Sequence, residues 1–137
     1  MSRVSIEVVR LGPLTKTRLI TLKRRTGIEN WNVLSRWAFC LSLSDSSAVG
    51  ERHLEAGAAI EMTWKTFAGE HEEIYELLLR NRIDLKSDPL CADRPGDLLR
   101  AHITRGISRL TATRSIDSLQ DLFSLKPRRL IEGVREK

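Results

Sequence analysis

The stretch PLTKTRLITLKRRTGIENWNVLSRWAFCLSL, residues 13–43, decides how this chain is read. Its spacing predicts two helices joined by a tight turn. The first opens at Pro13 or Leu14, where a missing N–H costs nothing. On a helical wheel Thr15, Leu19, Leu22 and Thr26 form one narrow stripe, with Ile20 at its margin. Lys16, Arg18, Lys23, Arg24 and Arg25 occupy the remaining circumference. The run at 23–25 also falls in the last turn, where cations complement the carbonyl end of the macrodipole, an explanation that needs no ligand. Gly27 supplies the left-handed residue that stops the helix, and Asn30 or Asn32 can cap the next one.

Helix two, roughly 31–43, holds Trp31, Val33, Leu34, Trp37, Ala38, Phe39, Cys40, Leu41 and Leu43, interrupted by Ser35, Arg36 and Ser42. A helix apolar on nearly every side must be buried on nearly every side. One short partner helix cannot cover it. Either the rest of the chain or a second subunit must, and the helix suggests a homo-oligomer, with Trp37, Leu34 and Leu41 at the contact between subunits.

Outward from this pair, 137 residues make one domain with room for a real core. Hydrophobic content of 41% and charged content of 30% are ordinary for a globular protein. The net charge of +5 favours anionic partners, nucleic acid or an acidic protein. Cys40 and Cys91 read as buried reduced thiols in a cytoplasm rather than a disulfide framework. No apolar run approaches the roughly 18 residues that span a bilayer, and MSRVSIEVV lacks the features of a signal peptide.

Val4, Ile6 and Val8 alternate with Ser5, Glu7 and Val9, which predicts a short strand before the Gly12-Pro13 turn. A strand followed by two helices is the ribbon-helix-helix order, in which two chains pair their strands and the ribbon enters the major groove. Residues 45–57 read as a polar loop. Ile60, Met62 and Trp64 suggest a second extended segment running to about Phe67. Gly69 and Glu70 open a third helix to about Arg82, with acids in its first turn and Ile74, Leu77 and Leu78 as its apolar stripe. Asp97 is placed as the cap of a fourth helix, 98–112, burying Leu99, Ile103, Gly106 and Leu110. Arg105 and Arg109, one turn apart, suggest a second basic surface. A short fifth helix is expected near 116–125. The division is one mainly α domain over 1–125, with one or two short strands, and a basic, fraying tail over 126–137.

Enzyme signatures are missing. The eight glycines never recur at phosphate-cradling spacing. His53, His71 and His102 fall in three different elements, with no zinc motif, so neither metal nor cofactor is expected. Cys91 would need a neighbouring base to act as a nucleophile. Trp31, Trp37 and Trp64 could stack on bases, but Trp37 reads as core and only Trp31, at the helix entry, is ambiguous.

Three blocks in series resemble the DndE family of DNA phosphorothioation proteins. They are LKRRTGIENWNVLSRWAFCLSL at 22–43, IEMTWKTFAGEHEEIYELLLRNR at 60–82 and LLRAHITRGISRL at 98–110. Trp31 stands where the family commonly has proline, and the segment after about Thr113 is longer than usual. The resemblance implies a helical, non-catalytic, tetrameric component that binds duplex DNA with a preference for nicks. It also implies work beside a cysteine desulfurase, a sulfur-transfer enzyme and an ATPase, in the bacterial cytoplasm at the nucleoid. Phosphate contacts would then come from Lys16, Arg18, Lys23, Arg24, Arg25 and Arg36. Two other readings compete. A sequence-specific ribbon-helix-helix repressor would put Arg3, Ser5, Glu7 or Val9 on base edges, and an assembly module would use the basic face for an acidic protein.

Overall fold

Residues 13–43 form the two helices that their spacing predicts, in a computed structural model that describes residues 6–86, 88 and 94–112. Helix α1 spans Pro13–Thr26 and α2 spans Trp31–Leu43. Between them Gly27 takes φ +78° and returns its N–H to the Lys23 carbonyl, a left-handed geometry that costs glycine no Cβ clash. Thr15, Leu19, Leu22 and Thr26 are the buried stripe of α1. Asn30 occupies the N-cap position of α2 but makes no side-chain cap bond. Asn32 instead donates to the Thr66 carbonyl at 3.0 Å.

The first strand runs later than its alternation suggested. β1 is Val8–Leu11, with Val9 and Leu11 buried and Val8 exposed. It pairs antiparallel with β2, Ile60–Thr63, in the register Val9↔Met62 and Leu11↔Ile60. The expectation of a ribbon-helix-helix dimer is corrected here. β1 finds its partner strand inside its own chain, and burial of Val9 takes that side chain out of reach of base edges. After β2 come a short helix α3, Trp64–Ala68, and α4, Glu72–Leu85. The inward residues of α4 are Leu79 and Arg82, whereas Ile74 and Leu77 are 53% and 59% exposed. Ile74 and Leu77 of the expected stripe thus face outward while Leu78 packs against the core, because Arg82 is drawn in by Asp88 and Tyr75 packs on Phe39 and Phe67.

The most deeply placed helix is α5, Pro95–Ala112, which buries Leu98, Leu99, Ala101, His102, Ile103, Thr104, Arg105, Gly106, Ile107 and Leu110. Expected to start behind an Asp97 cap, it starts at Pro95, and Asp97 pairs with Arg94 in the first turn. It lies against α2, α1 and β1. α2, read as buried all round, buries one face through Leu34, Ser35, Ala38, Phe39 and Ser42. Leu34, expected between subunits, is fully buried within its own chain, so it contributes to the core and to no outer contact. Trp37 and Leu41 are half-buried, and Cys40, expected inside, is exposed. The expected helix at 116–125, the tail, Cys91, Arg3 and Ser5 lie outside the described residues.

α2 and α5 cross at Ala38 and Gly106. A Cβ at Gly106 would collide with the Ala38 carbonyl, so the two backbones touch at that point. Gly106→Ala should force the helices apart and cost at least about 3 kcal/mol, at the upper end of overpacking effects. Urea unfolding followed by circular dichroism measures it.

Candidate nucleic-acid interface

The cations of α1 are set by where its apolar stripe faces. With Leu19 and Leu22 against the core, Lys16 and Arg24 are exposed, and Arg18, Lys23 and Arg25 are half-buried. Lys16 and Lys23 line one edge of the exposed arc, Arg18 and Arg25 the other, with Arg24 between them. Lys23 Nζ lies 4.4 Å over the Trp31 ring, a cation–π seat that gives Trp31 a role other than stacking on a base. Arg25 Nη1 donates to the Thr111 carbonyl at 3.1 Å. Among the described residues none of these five cations makes an ion pair, whereas Arg10, Arg82, Arg94 and Arg109 each hold a carboxylate.

The N-terminus of α1 has no acid of its own in the first turn. Glu55 supplies one from a distant loop. Its Oε1 accepts from the Leu14 N–H at 2.6 Å, and its Oε2 accepts from the Thr15 N–H at 3.0 Å and the Thr15 hydroxyl at 2.6 Å. Burial raises the Glu55 pKa, but these donors and Arg18 outweigh it and hold the carboxyl below its usual range. Gly12 must lack a side chain here, since a Cβ would come within 2.5 Å of Glu55. The loop is held in turn by Arg100 of α5, whose Nη2 donates to the Glu55 and Gly57 carbonyls at 2.6 and 2.5 Å.

Arg36 stands apart from the α1 set. Its Nη1 donates to the Phe67 carbonyl at 2.7 Å, which ties α2 to α3. With Val33, Trp37, Cys40 and Tyr75 it lines a groove of about 410 Å³ on the outer side of α2.

The second basic surface, expected at Arg105 and Arg109, does not form. Arg105 is 4% exposed. Its Nε donates to Ser42 Oγ at 2.8 Å, its Nη2 to the Ser42 carbonyl at 2.8 Å and its Nη1 to the Ser47 carbonyl at 2.9 Å. Arg109 binds Asp45 Oδ2 at 2.6 Å. Arg82 joins them from α4, donating to the carbonyls of Leu43, Asp45 and Ser47 and to both oxygens of Asp88. Desolvation, aided by Arg109, lowers the Arg105 pKa to about 10. Burial would raise the Asp45 and Asp88 pKa values. Ser47 and Arg109 for the first, and Arg82 and the Val49 N–H for the second, keep both below the carboxylate range.

His102 completes the cluster, fully buried between Ser42 Oγ at 2.8 Å and Asp88 Oδ2 at 3.2 Å. Because the ionised Asp88 can only accept, Nε2–H donates to it, and in the neutral ring Nδ1 then accepts from the Ser42 hydroxyl. Serine, histidine and aspartate in that order resemble a nucleophilic relay. Ser42 is fully buried and its oxygen is taken up by Arg105, so a substrate has no approach to it. His53, His71 and His102 are not brought together, and no three potential metal ligands cluster among the described residues. The sequence signal for this cluster was thin: arginines inside an otherwise apolar helix pattern.

Residues 9–118 match the family profile described as DNA sulphur modification protein DndE. Among solved structures the chain is similar to the crystal structure of DndE from Escherichia coli B7A, described as involved in DNA phosphorothioation modification. The likeness has a TM-score of 0.63 at 23% identity, over 78% of this chain and 99% of that one. It is a likeness of fold. No curated protein sequence matches the chain.

Desolvation, then Arg82, push the His102 pKa from 6.5 down to about 4, against the pull of Asp88. Between those values the unfolded chain takes up a proton that the folded chain refuses. Stability should therefore fall as pH drops from 6.5 toward 4, by on the order of 3 kcal/mol at most. Below that the depressed carboxylates Asp45 and Asp88 add a further loss. Urea midpoints across pH 4–7 should show the slope in the native chain, and His102→Gln should flatten it.

Proposed function

Because the chain belongs to the DndE family of DNA sulphur modification proteins, we propose that it is the non-catalytic DNA-binding component of a phosphorothioation machinery, gripping the phosphate backbone through α1. The observation that carries this reading is the set Lys16, Arg18, Lys23, Arg24 and Arg25 on the outer arc of α1, none of which makes an ion pair among the described residues. Contacts to phosphate fix position without reading sequence, as a modification accessory requires. Arg36, engaged with Phe67, is a secondary contact at most.

In this reading the protein works in the bacterial cytoplasm, at the nucleoid, as a homo-tetramer that multiplies the basic surface. Its partners there are the cysteine desulfurase, the sulfur-transfer enzyme and the ATPase. Self-association is supported by the apolar side chains that α4 turns outward, with Ile74, Leu77 and Leu85 53–63% exposed. Nicked duplex is preferred because a break in one strand lowers the cost of bending DNA against the protein.

Replacing Lys16, Arg18 and Arg24 together by alanine should weaken duplex binding and flatten its salt dependence. Each lost phosphate contact takes about 0.9 from the log–log slope. Fluorescence anisotropy titrations at several salt concentrations read both, with far-UV circular dichroism unchanged. Native affinity and slope in the triple variant would remove α1 from the interface. Gel shifts of intact and singly nicked duplex at matched salt should favour the nick, and light scattering should return four subunits.

A further inference from the structure

Two apolar faces of this chain match in character, one in the fold and one in the sequence beyond it. One is the groove on the outer side of α2, walled by Val33, Trp37, Cys40 and Tyr75 with Arg36 at its edge. Val33, Trp37 and Cys40 follow one another at helical spacing, so the groove runs along α2 from its first turn. The second surface is in the sequence beyond α5. There SIDSLQDLFS, residues 115–124, places Ile116, Leu119, Leu122 and Phe123 on one arc of a helical wheel and Asp117, Asp121 and Ser124 opposite. An amphipathic segment of this kind gains its order only by burying that arc. The family match ends at residue 118, so most of this segment lies beyond it.

Placement favours a meeting within one chain. Ser42 bonds His102 and Ala38 abuts Gly106, so α2 and α5 run antiparallel. The last turn of α5 accordingly lies beside the first turn of α2, where Arg25 at the end of α1 also binds the Thr111 carbonyl. That is the Val33 end of the groove. Three residues, 113–115, separate Ala112 from Ile116, a reach of about 14 Å at ~3.4 Å per residue. A tether this short holds its end at a local concentration in roughly the millimolar range, ahead of a free partner. Charge agrees with the direction. Lys126, Arg128 and Arg129 follow the apolar arc, and the start of α4 with the turn before it, within two turns of Tyr75, carries Glu70, Glu72 and Glu73.

We infer that residues 116–125 dock as a helix in the α2–α4 groove of their own chain, covering Val33 and Cys40. This stands apart from the DNA reading, which rests on α1 alone. Cys40 is the built-in reporter, because it is exposed and lines the groove.

The test uses the full chain with Cys91→Ser and Leu122→Cys, oxidised mildly with copper phenanthroline. A disulfide between Cys40 and the thiol introduced at position 122 is expected within one chain, seen as a monomer on a non-reducing gel and mapped by mass spectrometry. The same disulfide formed between two chains would mean that a second copy supplies the segment. Dimers bridged through Cys40 alone, or free thiols, would mean that another surface covers the groove. Any of these overturns the inference. In a chain keeping Leu122, with Cys91→Ser as the reference, Leu119→Glu with Phe123→Glu should speed alkylation of Cys40 by iodoacetamide at least tenfold. An equal rate in the two chains overturns it as well.

Discussion

Two buried guanidinium groups close the C-terminal end of α2, and the rest of the fold is arranged so that they can. A helix ends with carbonyls that have no partner inside it. α2 has no basic residue in its last turn to answer them. Arg82 arrives from α4 and Arg105 from α5, and between them they take carbonyls of Ser42, Leu43, Asp45 and Ser47. Neither charge is left bare: Asp88 holds Arg82 on both oxygens, and the negative charges of Asp45 and Asp88 act on Arg105. Taking one partner from a buried pair of this kind costs about 3–5 kcal/mol, mostly as an uncompensated charge.

This arrangement explains why α5 rather than α2 is the central helix. Its residues alternate in purpose around the circumference. Leu99, Ile103 and Leu110 fill the core, Gly106 admits the α2 backbone, His102 and Arg105 close the polar cluster, and Arg100 fixes the loop that carries Glu55. Phe39 packs edge-on against both Phe67 and His102 at 5.8 and 6.3 Å, so the apolar and polar halves of the interior share a wall.

The helix pair at 13–43 was legible because its signals are local: a stripe at helical spacing, a proline at one end and Gly27 at the other. Leu99, Ile103, Gly106 and Leu110 were legible for the same reason. What misled was the inference from apolarity to burial. α2 is the greasiest helix by composition yet leaves Cys40 exposed, whereas α5 hides two ionisable side chains. Burial of Arg105 depends on carbonyls more than fifty residues away, which no periodicity encodes. Likewise Ile74 and Leu77 were assigned inward by spacing, while the choice of face was made by Arg82 and Tyr75. The cations of α1 and their places around the helix follow from spacing, but the seating of Lys23 on Trp31 is a tertiary fact.

Glu55 carries a consequence for how the basic helix is aimed. Its carboxylate holds the first turn of α1, and Arg100 holds the backbone of Glu55 in place. The pitch of α1 on the body of the protein is therefore set from α5, through a strut built of five hydrogen bonds. A repacking around α5 would swing the whole row of cations like a rudder on its post, altering the angle presented to a polyanion while every lysine and arginine stayed where the sequence put it.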